Sequence, residues 1–183
     1  MSSEPSLAPV DSQSVVAARA DLVVRAFEEH AGKLTGFAFA LSRDRDIADD
    51  LVQETFLRLV KELAADRTPE NIPAWLFRVC ANLATSRGRR ATVAQRFLRG
   101  IHVVPDEPPA DTETLRRETN SALVAGLATV PTDARTALLM AAQGFSGHEI
   151  AEAIGRTEMA TRTMMFRARE KLRVYLVQEG VHS

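Results

Sequence analysis

The chain has 183 residues, 45% of them hydrophobic and 26% charged, a composition typical of one large or two small soluble domains. A net charge of −1 excludes a uniformly basic coat for nucleic acid, and the single Cys80 excludes an intramolecular disulfide and argues against a cysteine zinc site. No apolar run approaches the roughly 18 residues of a membrane span and no signal peptide is recognisable, so we expect a cytoplasmic protein without a membrane span.

Changes in composition divide the chain into a tail, two helical domains and a linker. The tail is rich in serine and proline and has little to bury, which predicts disorder. The linker holds three prolines and four acids without helical periodicity, which predicts a flexible tether. No segment alternates like a strand, so we predict an all-α fold. The predicted boundaries are 1–18 for the tail, 19–99 for the first domain, 100–114 for the linker and 115–183 for the second domain.

Apolar residues at three- and four-residue steps predict three helices in the first domain. The first helix carries an inward stripe that includes Val24 and Phe27. The second runs from about 46 to 63. The third begins near Pro73, because proline is tolerated in the first turn of a helix, and is expected to continue to about Arg87, where Gly88 weakens it. The inward stripe of the second helix is predicted to be Val52, Phe56, Leu59 and Leu63.

The charges of the first domain are sorted along its sequence. Carboxylates and a glutamine lie three and four residues apart on the second helix, where they suit either a basic partner or the helix dipole. The segment 71–105 holds six arginines and no acid, which favours an anionic partner over a merely solvated face. Arginine, amide and hydroxyl groups on one face of the third helix can contact phosphates and base edges. Trp75 can stack on an unpaired base, although a place in the core is the alternative.

The segment 131–173 has the pattern of a helix-turn-helix. Ser146 and Glu149 have the spacing of a capping box, and Gly155 is suited to end that helix in the left-handed conformation. The helix that follows, roughly 158–177, carries several arginines on its outward face, as in helices that enter a DNA major groove. The alternative is a packing unit with a solvated basic face. The inward stripe is predicted to be Ala160, Met164, Ala168, Leu172 and Leu176.

Two segments resemble conserved regions of the bacterial extracytoplasmic-function (ECF) sigma factors of the sigma-70 family. DIADDLVQETFLRLV followed by IPAWLFRVCANLATSRGRR resembles region 2, and LATVPTDARTALLMAAQGFSGHEIAEAIGRTEMATRTMMFRAREKLR resembles region 4. The resemblance implies two helical domains and a non-catalytic alternative sigma factor, without metal or cofactor, serving a stress or envelope response. The implied partners are core RNA polymerase, through its beta-prime clamp helices and beta flap, promoter DNA, and an anti-sigma factor.

The resemblance also assigns roles to individual residues. It places core polymerase binding on the acidic helix, at Asp46, Asp49, Asp50, Gln53, Glu54 and Leu57. It places binding of the melted −10 element on the third helix, at Trp75, Arg78, Asn82, Arg87, Arg89 and Arg90. It places reading of the −35 element on the recognition helix, at Arg162, Thr163, Phe166, Arg167 and Arg169.

The recognition helix departs from the family pattern at its start. This chain has Ala160 and Thr161 there, and Met164 where relatives have an arginine, so the usual −35 contacts are not all expected. A second hypothesis is a regulatory mimic that sequesters an anti-sigma factor without touching promoters. An enzyme is disfavoured, because the four histidines are scattered and no nucleophile–base spacing or phosphate loop is present.

Overall fold

The computed structural model describes residues 12–97 and 122–180, with side chains for 13–88 and 122–180. These residues form helices and turns without any strand, which confirms the all-α class. The linker predicted at 100–114 lies outside the described residues. The helices are α1 (Ser12–Ser42), α2 (Arg45–Ala64), α3 (Ile72–Phe97), α4 (122–128), α5 (Thr132–Ala142), α6 (Gly147–Ile154) and α7 (Glu158–Gln178).

Two predicted boundaries are wrong. The tail predicted at 1–18 overlaps α1 from residue 12 onward, where alanine and valine replace proline and the Arg19 guanidinium anchors the helix by donating to the Asp66 carboxylate. The remainder of that tail lies outside the described residues. Helix α3 continues past Gly88, because one glycine in a helix costs only about 1 kcal/mol and its neighbours are good helix formers.

The N-terminal domain packs α1, α2 and α3 around one apolar core. The stripe predicted on α2 is buried as expected, with Leu59 and Leu63 almost fully enclosed. On α1 the prediction is partly wrong, since Val24 and Phe27 are each 52% exposed. Successive residues are about 100° apart around a helix axis. The face of α1 that contacts α2 and α3 is formed by a row of residues next to the predicted one. That buried row contains Ala26, His30, Leu34, Phe37 and Ala38.

Cys80 lies on α3 in the middle of this core and has no accessible surface. Burial raises the pKa of its thiol to about 12, although a hydrogen bond with Thr55 acts in the opposite direction. Because the thiolate is the reactive and metal-binding form, this thiol is inert at neutral pH. Cys80 is therefore a packing residue.

The C-terminal domain consists of α4 to α7. Arg135 of α5 connects α4 to the other helices through hydrogen bonds. The guanidinium donates to the carbonyl oxygens of Leu127 at 2.9 Å, Ala128 at 3.3 Å and Val130 at 3.4 Å, which follow or end α4. It also donates at 3.4 Å to the carbonyl of Leu41, near the end of α1. Carbonyl groups at the end of a helix lack the N–H donor four residues further on, and one side chain therefore serves the ends of α1 and α4 through Leu41 and Leu127.

The two domains share a continuous apolar contact. Phe77 of α3 lies between Phe37 of its own domain and Phe145 of the other, with ring centroids 4.9 Å apart in both pairs. Met140 and Ile150 of the C-terminal domain belong to the same buried cluster as the core of the N-terminal domain. In this arrangement α3 lies against α6, and α1 lies against α5. None of the described helices is both long and apolar enough to span a bilayer.

Replacing Arg135 with alanine should lower the free energy of unfolding by about 2–3 kcal/mol, because partly buried carbonyl groups lose a charged donor. The matched control is Arg156→Ala, which removes an exposed ion pair with Asp133 and should change stability by less than about 1 kcal/mol. Urea denaturation followed by circular dichroism measures both. Equal effects of the two substitutions would contradict the role assigned to Arg135.

Candidate polymerase and nucleic-acid interfaces

Helix α2 presents an acidic face to solvent. Asp44 is its N-cap and accepts a hydrogen bond at 2.8 Å from the backbone N–H of Ile47, which orients the first turn. The side chains of Asp46 and Asp49 are exposed, and among the described side chains neither has an ion-pair partner. Leu57 is 54% exposed one turn beyond Gln53, so an apolar group borders the carboxylates. Two free charges beside an uncovered leucine form a surface suited to a basic protein partner.

The other two carboxylates of the acidic face, Asp50 and Glu54, are engaged within the domain, whereas Gln53 is exposed. Glu54 accepts a hydrogen bond at 2.9 Å from Arg58 on the same helix. Asp50 accepts one at 3.1 Å from Arg87 of α3. Asp50 and Arg87 were assigned to different ligands from the sequence, yet the structure pairs them with each other. Both side chains are about half exposed, so this pair can be exchanged for an external partner.

The predicted −10 residues of α3 lie in two different places. Trp75 and Arg78 line a cleft beside α6, whereas Asn82 and Arg87 line a cleft beside α2. Asn82 is exposed and makes no hydrogen bond with the described residues, so its amide is free to meet a base. Trp75 is half buried, between the two alternatives considered from the sequence. Arg78 donates to the carboxylate of Glu152 from the other domain. The side chains of Arg89 and Arg90 lie outside the described ones.

The helix-turn-helix has the predicted caps. The Ser146 hydroxyl accepts a hydrogen bond at 3.3 Å from the Glu149 N–H, and the Glu149 carboxylate accepts one at 2.7 Å from the Ser146 N–H. Hydrogen bonds from the Ser146 side chain and backbone lower the pKa of Glu149, so the box is fully formed at neutral pH. Gly155 ends α6 with φ 65°, and Thr157 caps α7 by accepting from Ala160. These local bonds fix where the recognition helix begins.

The outward face of α7 carries all five predicted −35 residues. Arg162, Thr163, Phe166, Arg167 and Arg169 are exposed. Within the part of the chain that the structure describes, none of these three arginines has an acidic partner. Three uncompensated guanidinium groups on one helix can attract a polyanion.

The predicted inward stripe of α7 is only partly correct. Ala160 is exposed and Met164 is half buried, whereas Thr161, Met165 and Ala168 are the buried residues. The face of α7 that contacts α5 and α6 is shifted by one residue from the predicted stripe, which corresponds to a rotation of about 100° around the helix axis. The hydroxyl oxygen of Thr161 is buried there without a hydrogen-bond partner among the described residues.

Met159 is a candidate that the sequence analysis missed. It lies in the first turn of α7, two turns before Phe166, and the two side chains are 70% and 66% exposed. Large apolar residues left uncovered on one helix face indicate a contact surface. Met159 could have been identified from the sequence, because it lies outside the predicted inward stripe. It also lies in the N-terminal turn of the helix, the part that contacts base edges in helix-turn-helix proteins.

The C-terminal domain also reaches the predicted −10 surface. Besides the contact between Arg78 and Glu152, the Asn71 amide donates at 2.7 Å to the carboxylate of Glu149. These residues and Trp75 line a cleft of about 250 Å³ between α3 and α6. No group of histidine, cysteine and carboxylate side chains among the described residues is arranged to hold a metal ion.

Two family models match the chain, one for each domain. Sigma-70 region 2 matches residues 26–93, and Sigma-70 region 4 matches residues 121–172. The first match covers most of α1 to α3 and includes the acidic and basic faces. The second covers the helix-turn-helix and nearly all of the outward face of α7.

Relatives that align with both domains of this chain are also sigma factors. The chain is 35% identical over 150 residues to the ECF RNA polymerase sigma factor EcfG of Rhodopseudomonas palustris, covering 80% of this chain and 81% of the relative. It is 31% identical over 173 residues to the ECF RNA polymerase sigma factor SigL of Mycobacterium tuberculosis, covering 90% and 94%.

Solved structures share the fold over most of their length. The sigma factor RpoE of Bartonella quintana, in complex with the anti-sigma factor NepR, matches with a TM-score of 0.66 and 26% identity, covering 88% of this chain and 96% of that one. CnrH in complex with the cytosolic domain of CnrY matches with a TM-score of 0.60 and 21% identity, which shows the fold alone. With both regions matched in order and relatives alike over four fifths of the chain or more, this protein belongs to the ECF sigma factors, regulatory subunits that bind core RNA polymerase and promoter DNA to initiate transcription.

Proposed function

We propose that this protein is an alternative sigma factor that directs polymerase to its own promoter class and helps to melt the −10 element, in a stress or envelope response. It acts in the cytoplasm, where polymerase and chromosome lie. The observation that carries this proposal is the sorting of free charge between separate helices. Among the described side chains, carboxylates without an ion-pair partner are exposed on α2, and guanidinium groups without an acidic partner are exposed on α7.

The carboxylates of α2 are proposed to bind the beta-prime clamp helices of core polymerase. Asp46 and Asp49 need no internal bond broken before they meet a basic partner, since neither is paired among the described side chains. Leu57 supplies an apolar contact beside them. Charged groups around an apolar centre are the usual anatomy of a specific protein interface.

Reversing the charge of Asp49 with Asp49→Lys should weaken core polymerase binding at least about tenfold, or about 1.4 kcal/mol, because a complementary charge becomes a like charge. Fluorescence anisotropy with labelled core measures the dissociation constant. Glu28→Lys is the matched control, since it makes the same charge change at an exposed position on α1. Asp50 is avoided because its pair with Arg87 would be lost as well. Unchanged affinity of Asp49→Lys would contradict the proposal.

Helix α7 is proposed to read the duplex −35 element in the major groove. Arginine can bond both acceptors of a guanine, and apolar side chains contact the methyl group of thymine. Arg162 and Arg167 offer the first chemistry, and Met159 and Phe166 offer the second. The beta flap is the proposed polymerase contact of this domain. Helix α3 is proposed to hold the melted non-template strand through Asn82, whose exposed amide makes no hydrogen bond with the residues that the structure describes.

The two DNA surfaces should fail differently when mutated. Arg167→Ala should weaken duplex −35 binding by about 1–3 kcal/mol and relax preference at one or two positions, while −10 melting is retained. Asn82→Ala should spare duplex binding and impair melting, because its proposed partner is an unpaired base. Gel-shift and permanganate footprinting separate the effects, with Arg25→Ala on α1 as control. Normal melting by Asn82→Ala would contradict the −10 assignment.

The apolar readers on α7 can be tested on the DNA itself. Replacing thymine with uracil in the −35 element removes only the methyl group. At the position read by Met159 or Phe166, this replacement should weaken binding by the wild-type protein and have no further effect on the matching alanine variant. If no such position is found, the apolar contacts are contradicted.

An anti-sigma factor is the proposed regulator. The support is the solved relative RpoE, which is in complex with the anti-sigma factor NepR. A mimic that only sequesters such a factor would have no use for DNA readers on α7. Run-off transcription with core polymerase on a genomic promoter library distinguishes the two functions, because a mimic yields no transcripts.

A further inference from the structure

We propose that Met159 is an oxidation site within the −35 surface. A peroxide converts its thioether to the sulfoxide, and the oxidised recognition helix then binds the −35 element more weakly. The inference rests on the proposed −35 role of α7. It assigns a chemical modification to a residue of the DNA-facing turn, outside the apolar core that encloses the single cysteine.

The sulfur-containing side chains of the described residues differ greatly in their exposure to solvent. Met159 is 70% exposed, whereas Met165 is 8% exposed and Met140 and Cys80 have no accessible surface. Met164 is half buried and packs against the apolar core. A dissolved oxidant has to reach the sulfur atom before it can react. Met159 should therefore be oxidised before the other described methionines.

The surroundings of Met159 admit small molecules while its backbone is held in place. Met159 lines a groove of about 720 Å³ between α5 and α7, together with Val130, Ala134 and Met164. Its backbone carbonyl accepts a hydrogen bond at 3.0 Å from the Thr163 hydroxyl, which fixes the first turn of α7. A peroxide molecule can enter such an open groove and reach the thioether without any movement of the helix.

The oxidation is a two-electron transfer of one oxygen atom. A lone pair of the thioether sulfur attacks an oxygen of hydrogen peroxide, and the O–O bond breaks as the S–O bond forms. The departing hydroxide takes the proton of the transferred oxygen and becomes water. The sulfur is oxidised to the sulfoxide and the peroxide is reduced.

The sulfoxide is polar where methionine is apolar. The thioether suits contact with the methyl group of thymine. The sulfoxide oxygen carries partial negative charge and must lose bound water to lie against a base edge, which costs free energy. Met159 shares the DNA-facing surface with Arg162 and Phe166, so its oxidation places an unfavourable group among the proposed readers.

Oxidation of Met159 should weaken DNA binding without unfolding the domain. The buried face of α7 consists of Thr161, Met165 and Ala168, and Met159 is not part of it. Oxidation of Met164 would instead introduce a polar group against the apolar core. Loss of −35 binding at unchanged stability therefore distinguishes oxidation of Met159 from oxidation of Met164.

The first test locates the modified residue. The full chain is treated with hydrogen peroxide, and peptide mass spectrometry follows the addition of one oxygen atom at each methionine. Met159 should be oxidised at least about fivefold faster than Met140 and Met165, because the oxidant reaches exposed sulfur more easily. Equal rates at Met159 and Met165 would overturn the proposal.

The second test measures the effect on DNA. The probe is a duplex carrying the −35 sequence that holoenzyme selects from a promoter library. Peroxide should lower the affinity of the wild type about tenfold at an unchanged unfolding temperature, since an apolar contact is lost and a polar group must be desolvated. Met159→Leu keeps every other methionine, so its own affinity should be the same before and after peroxide. Equal losses in the wild type and in Met159→Leu would overturn the proposal.

Two further measurements identify the cause of the loss. Methionine sulfoxide reductases with a thiol reductant should restore the affinity of the oxidised wild type, and failure to restore it would contradict the assignment. Arg167→Ala tests the −35 role itself. If this variant loses affinity while the oxidised wild type keeps it, the oxidation proposal is wrong and the −35 role stands. If neither change lowers affinity, the −35 role is wrong and the oxidation proposal with it.

Discussion

The ring of Phe77 connects the parts of this molecule. Its contact with Phe37 completes the core of the N-terminal domain, and its contact with Phe145 attaches the C-terminal domain to that core. The two domains therefore share this ring as part of a common apolar core. Their packing around it determines which charged side chains of one domain lie near the other domain.

Internal pairing then decides which charges are available to partners. Asp50 and Arg87 neutralise each other across α2 and α3, and Arg78 is held by Glu152. Asp49 and Arg167 have no such partner among the described side chains. An unpaired exposed charge binds an external ligand at no cost of a lost bond, whereas a paired one must exchange partners. The binding surfaces of this sigma factor therefore differ in charge and also in whether an internal ion pair must break before a partner binds.

The inward faces of helices were predicted less well than their ends. The stripe of α2 was predicted correctly, because that helix is covered along one regular row. On α7 the row is displaced, so that Ala160 is exposed and Thr161 is buried. Periodicity indicates that a face exists, but the neighbours that cover it determine its centre, and small residues such as alanine and threonine mark it weakly.

The sequence by itself determined the helical class and the caps of the helix-turn-helix, because these depend on residues a few positions apart, and it determined the family through two long segments that match in order. Ser146 with Glu149 and the glycine at 155 act within one or two helical turns. Only the tertiary structure decided that Arg78 would meet Glu152, 74 positions away, and that Arg87 would meet Asp50, 37 positions away. Such pairs form when packing of apolar faces brings distant helices together, and no local pattern of charge specifies which partner will be within reach.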